Sequence, residues 1–85
     1  MTDTFTDNTT AHRFELDVDG HIAFANYRRS ADALAILHVE APIHLRGTGA
    51  ASRLMQHIAD TASQGRIGLV PYCSYARAWV QRRGG

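Results

Sequence analysis

Between Arg13 and Val18 apolar and polar residues alternate, Phe14, Leu16 and Val18 against Arg13, Glu15 and Asp17. That is the period-two pattern of a strand with one wet face. Asp19-Gly20 follows, a pair suited to the positive φ angles of a tight hairpin turn. The chain then continues as a second strand from His21 to Arg28, with Ile22 and Phe24 alternating against Ala23, Ala25 and Tyr27. After a polar turn at Ser30 to Asp32, Ala33 to Glu40 runs almost unbroken in apolar residues until its carboxyl end. Such a run predicts a central strand covered on both faces.

Pro42 ends this strand, and from Arg46 onward the period changes: Ala51, Leu54, Met55, Ile58, Ala59 and Ala62 share one face of a helix. Gly65 stands where a helix stops in the left-handed conformation. Ile67, Leu69 and Val70 predict a short strand stopped by Pro71, and Tyr75, Ala78 and Trp79 mark the apolar side of a last amphipathic helix, with Trp79 read as core. By contrast, Met1 to Ala11 is threonine, aspartate and asparagine around a single Phe5. So little apolar surface does not offset the cost of ordering, which predicts a frayed tail over 1–11 and one domain over 12–85. The expected fold class is α+β: a mixed sheet in the order β-β-β-α-β-α, helices packed against it, and the last two strands parallel through a right-handed crossover.

Composition narrows the function classes. The 85 residues suffice for one small core, since a second would need roughly 50 residues of its own. Hydrophobic residues at 45% and charged residues at 20% are an ordinary globular balance. Nine basic and eight acidic residues leave a formal charge of +1, which argues against nucleic acid as a partner. No apolar run approaches the roughly 20 residues that span a bilayer, and the amino terminus lacks the basic start and apolar stretch of an export signal. One cysteine cannot staple the fold to itself and suits a reducing compartment. The expectation is a cytoplasmic protein without a membrane or nucleic-acid partner. His12, His21, His44 and His57 show no ligand spacing with cysteine or carboxylate, so no metal is expected.

The segment richest in chemistry is Arg46-Gly47-Thr48-Gly49-Ala50-Ala51, between the apolar strand and the helix. Backbone N–H groups at a helix start are unpaired, and glycines let a phosphate approach them. A tight strand-to-helix turn also wants glycine, but here an arginine heads the loop and a small residue, Ala51, lies where the helix nears the sheet. Neither GxGxxG nor GxxxxGK[ST] is present.

The loop resembles that of the GNAT superfamily of acyl-CoA-dependent N-acetyltransferases: Arg or Gln, two residues, Gly, one residue, Gly or Ala, matched by Arg46, Gly49 and Ala51. More narrowly, the stretch from Phe14 through Asp19-Gly20 to Arg28 is similar to the small YjdJ-type branch. So are His38-Val39-Glu40-Ala41-Pro42, Leu45-Arg46-Gly47-Thr48-Gly49 and Val70-Pro71-Tyr72-Cys73. The resemblance covers roughly Arg13 to Arg83. It implies a shortened GNAT fold, acetyl-CoA as cofactor and an amine acceptor that the sequence does not identify. Gly47 to Ala51 would hold the pyrophosphate with Arg46 beside it, although Arg46 also reads as a solvated surface side chain. The backbone of Val39, Glu40 and Ala41 would pair with the pantetheine arm where the last two strands splay.

Within that frame His38 and Glu40, two apart on one strand, share a face beside the acyl site, and either suits the base that takes the amine proton. Each taken singly also reads as a structural histidine and a rim carboxylate. Cys73 precedes the last helix, whose dipole favours negative charge at that end. The superfamily's last segment reads Asn, two residues, Ala, two residues, an apolar residue, Tyr, three residues, Gly. Cys73, Ala76, Trp79, Val80 and Gly84 occupy that frame, so Val80 stands where a tyrosine is expected to protonate the leaving thiolate. Cys73 is then the candidate acid or acyl acceptor, with Tyr75 as a substitute. The expected activity is N-acetyl transfer to an amine; the alternative, which the missing tyrosine suggests, is a CoA-binding module with little turnover. Arg77, Arg82 and Arg83 are read as a solvated basic face at a helix end.

Overall fold

The computed structural model describes residues 3–83. Met1, Thr2, Gly84 and Gly85, and with them the start of the predicted tail and the last residue of the predicted GNAT frame, lie outside the described residues. Along the chain run β1 (Asp3–Asn8), β2 (Arg13–Val18), β3 (His21–Arg29), β4 (Ala33–Glu40), a 3-10 turn (Ile43–Leu45), α1 (Ala50–Gln64), β5 (Gly68–Pro71) and α2 (Ser74–Arg82). This is a small α+β domain with a five-stranded mixed sheet in the order β1-β2-β3-β4-β5. Strands β1 to β4 are antiparallel neighbours, and α1 carries the chain over to β5, which pairs with β4 in parallel.

Period decides what each element buries. Phe14, Leu16 and Val18 of β2, Ala23, Ala25 and Tyr27 of β3, and Leu34 and Ile36 of β4 point to one side of the sheet. There they meet the buried stripe of α1, Ala50, Leu54, Met55, Ile58 and Ala62. Ala76 and Trp79 of α2 complete the same core, and the Trp79 indole N–H donates to Ser52 Oγ of α1 at 3.0 Å. Both helices therefore cover one face. The expectation that β4 is covered on both faces is corrected: Ala33 and Ala35 are only half-buried and Leu37 is exposed. Alanine makes that apolar run look deeper than it lies, because its outward methyls need no cover.

The tail reading is also corrected for its described residues. Asp3–Asn8 pairs along its whole length with β2. Phe5 stacks between Phe14 and His57, with centroid distances of 5.5 and 4.7 Å. Three of the polar residues that argue for disorder have partners elsewhere in the chain: Asp3 accepts from Arg53, Asp7 from the Tyr27 hydroxyl and Arg29, and Asn8 donates to Glu15. Burial pushes the Tyr27 hydroxyl up to about 12, and its hydrogen bond to Asp7 pushes the same way. A sheet edge tolerates such a polar strand because only one of its faces is buried.

Asp19-Gly20 forms the hairpin turn, with φ of 53° and 89° between the paired residues Val18 and His21. Helix α1 ends differently from expectation. Gly65 has an ordinary right-handed conformation (φ −81°, ψ −4°), and the left-handed residue is Arg66 (φ 55°). Arg66 N–H donates to Ser63 O and Ile67 N–H to Ala62 O, the paired bonds of a Schellman end with arginine at the position glycine usually takes. Two variants read this out in urea unfolding. Arg66→Gly should stabilise the protein by about 1 kcal/mol by relieving a left-handed side-chain residue. Gly65→Ala should be neutral or stabilising by about 0.5 kcal/mol; a loss above about 1 kcal/mol would place the left-handed turn at Gly65 instead.

Candidate active site

The loop between β4 and α1 is shaped by two glycines. Gly47 and Gly49 both have φ of 81°, where a side chain is strained. Gly49 caps α1 but offers no side-chain acceptor to its first amides. Thr48 Oγ1 donates to Leu45 O and accepts from Ala50 N–H at 3.3 Å, so the loop is closed locally. A depression of about 280 Å³ opens over it. Ala41, Arg46, Gly47, Gly49, Ala50 and Ala51 line this depression, together with Leu45, Ser52 and Tyr75, which the motif does not single out. Val39, Glu40 and Thr48 do not line it. Fixed backbone donors at the positive end of a 15-residue helix, with no Cβ at two positions, are the chemistry that holds an anion such as a pyrophosphate.

Ala41, at the margin of the depression, directly follows β4, which borders a seam in the sheet. The β4–β5 ladder runs from Ala33↔Gly68 to Ile36↔Pro71 and ends with Tyr72 N–H donating to Ile36 O at 2.9 Å. Beyond that point β4 stays paired with β3 through His38, Val39 and Glu40, while its other edge has no strand partner among the described residues. At the same place the β3–β4 register shifts between Asn26↔His38 and Tyr27↔Ile36, leaving Leu37 as the extra residue of a bulge. The bulge reverses the alternation. Ile36 points to the core, then both Leu37 and His38 are exposed, and Val39 is half-buried again.

His38 and Glu40 consequently project from the face without helices. His38 Nε2 and Glu40 Oε1 lie 3.1 Å apart, and both side chains are more than half exposed, at 55% and 57%. A carboxylate that pairs with one imidazole nitrogen fixes the orientation and tautomer of the ring. The ring of Phe24 lies 6.4 Å away by centroids and carries the Arg13 guanidinium on it at 4.6 Å.

Cys73 sits after β5, partly buried against the core, as the cap of α2: its Sγ accepts from Ala76 N–H at 3.3 Å. No hydrogen bond joins it to His38 or Glu40 among the described residues. Trp79, anchored on Ser52, fixes α2 against the first turn of α1, which is why Tyr75 reaches the loop depression. Val80 packs against the core from α2.

Two further contacts brace the loop, and the motif signals neither. Arg53 Nη1 donates to Thr48 O at 2.9 Å, while its Nε and Nη2 donate to Asp3 at 2.6 and 3.4 Å. The first strand is thereby tied to the glycine loop across 50 positions of sequence. His44 in the 3-10 turn stacks on His21 at 4.5 Å, holding the turn against β3. The only sequence sign of the first brace is an arginine one turn into the helix, and nothing in the sequence marks its partner.

A family described as GCN5-related N-acetyl-transferase matches residues 13–84, and the chain belongs to that family. No curated protein matches the chain. No described helix is long and apolar enough to cross a membrane.

The Asp3–Arg53 brace carries a pH dependence. The hydrogen bond from Arg53 holds the Asp3 carboxyl below its ordinary value, and hydrogen bonds from Asn8 and Arg13 do the same for Glu15. Groups depressed on folding stabilise the protein above their unfolded pKa, and that stabilisation is lost as pH falls through the folded value. The urea midpoint should therefore fall from about pH 4.5 downward. It should fall less steeply in Asp3→Asn; equal slopes in the two proteins would remove Asp3 from the account.

Proposed function

We propose that this protein binds acetyl-CoA across the glycine loop and the β4–β5 seam and transfers the acetyl group to an amine presented on the opposite face. The observation that carries this is one juxtaposition: a helix start headed by glycine, an unpaired strand edge and a histidine–carboxylate pair lie along a single strand and its loop. Membership of the GCN5-related N-acetyltransferase family supports the same reaction class.

The residues present suit the cofactor. Within Gly47 to Ala51 the N–H groups of Gly47, Gly49 and Ala51 would hold its pyrophosphate, those of Thr48 and Ala50 being bonded inside the loop, and Arg46, which borders the depression, would add a charge-assisted contact. The unpaired edge of Val39, Glu40 and Ala41 offers peptide groups to an amide-bearing arm. Bound there, acetyl-CoA supplies an acetyl group activated as a thioester.

The chain's own residues then handle protons. His38, oriented by Glu40, takes the proton released as the amine nitrogen bonds to the acetyl carbon. The breaking carbon–sulfur bond leaves its electron pair on the CoA sulfur, which needs a proton in turn. Cys73 is the donor we assign: its sulfur accepts from Ala76, leaving the S–H free to point elsewhere. Its alternative role is to take the acetyl group itself and pass it to the amine. A second reading, a CoA-binding module with little turnover, is favoured by Val80 in the tyrosine position and by the exposure of His38 and Glu40.

Calorimetry with acetyl-CoA, together with release of free CoA thiol in the presence of mixed amines, tests these readings. Wild type should bind acetyl-CoA, and Gly49→Val should lose binding because a branched residue is strained at that φ. Cys73→Ser keeps a capping oxygen and should fold normally, whereas Cys73→Ala should cost about 1 kcal/mol of stability. Turnover lost in both variants assigns Cys73 to chemistry, and turnover lost only in the alanine variant assigns it to the cap. Binding without turnover in wild type supports the module, and absence of binding sinks the proposal.

A further inference from the structure

The face of the sheet without helices is not flat. A trough of about 410 Å³ runs along β4 and ends at the seam. Its floor is built from small residues, Ala33 and Ala35. In register across Ala35 stand Arg28 of β3 on one side and Val70 of β5 on the other. At the seam end Leu37, in phase with the outward-facing Ala33 and Ala35, and Tyr72 border it, at 40% and 62% exposure. The volume falls within the range of small-molecule sites. His38, the proposed base, does not line the trough, but it is the residue after Leu37 and like it is exposed.

Its charge is one-sided. Arg28 is the single charged residue lining the trough, and no carboxylate lies within ion-pair distance of Arg28 among the described residues. The neighbouring Arg29, by contrast, pairs with Asp7. Polycations require carboxylates to replace their water, and no residue lining the trough carries one. An apolar body over Ala35, Leu37 and Val70 with an anionic end at Arg28 matches the apolar lining and its one charge. Arg28 lies two residues along β3 from Asn26, the partner of His38, a distance of about 7 Å along the strand.

We propose that this trough holds the acceptor, and that it selects primary amines whose nitrogen is separated by a short apolar chain from a carboxylate read by Arg28. The inference rests on the acetyl-transfer reading for the word acceptor, but the ligand class rests on the trough alone. An ω-amino acid of five or six carbons has the required span, whereas a diamine of equal length presents a second cation to Arg28.

Amide chemical shifts of the isotope-labelled protein, titrated with 6-aminohexanoate and separately with 1,5-diaminopentane, provide the test. The acid should perturb Ala35, Leu37 and Val70 and bind about fivefold more tightly than the diamine, the size expected for one exposed ion pair. Arg28→Gln should bring the ratio close to one, and Arg28→Glu should invert it. Equal or tighter binding of the diamine to wild type, shifts that map away from the trough, or no saturable binding of either compound would overturn the proposal. A CoA titration of the same samples, read at Gly47 to Ala51, reports on the cofactor site separately. CoA binding without trough binding ends this inference alone, and trough binding without CoA binding ends the transfer reading while the ligand class stands.

Discussion

The parting of β4 from β5 is the constraint on which the rest of this structure depends. A parallel pair held by slanted hydrogen bonds continues as long as both strands supply donors. Pro71 has no N–H to offer, and one more bond, from Tyr72 to Ile36, ends the ladder. Because β4 remains fastened to β3, it cannot follow β5 away, so its far edge is left bare. The bulge at Leu37 falls opposite this point and turns His38 and Glu40 away from the helices. A backbone edge and a polar pair thus emerge from one interruption, on a strand whose other half is buried core.

Parts of the fold set by neighbours along the chain are legible in the amino-acid sequence alone. The hairpin at Asp19-Gly20, the helix over Ala50–Gln64, the short strand before Pro71 and the core role of Trp79 all follow from spacing and turn chemistry. Local pattern fails where distant residues decide. Strand β1 looks like a tail because its stabilising partners, Arg53, Tyr27, Arg29 and Phe14, lie elsewhere in the chain. The end of α1 shifts by one residue from its expected place, since glycine is the usual left-handed residue but the hydrogen bonds put that conformation at Arg66.

The site divides along the same line. Loop spacing marks Arg46, Gly47, Gly49, Ala50 and Ala51, and the structure gathers them around one depression. The two-residue period puts His38 and Glu40 on a common face, and their side chains meet. The cap made by Cys73 is less legible, because a lone thiol before a helix does not say whether sulfur accepts from the backbone. The trough of Arg28 leaves no trace in the sequence, since it is assembled from alanines and from the registers of three strands.

Four of the five strands form a meander in which each pairs with its neighbour in sequence; only β4 and β5 must find one another across a long connection, and they do so over four residue pairs. Closing that loop costs entropy before any contact rewards it, so this is the seam of the sheet that opens most readily. The same seam is where the proposed cofactor would lie. A ligand that bridges it binds the closed form alone and raises the stability of the whole domain by mass action. In so small a protein, occupancy of the site and integrity of the fold become a single equilibrium.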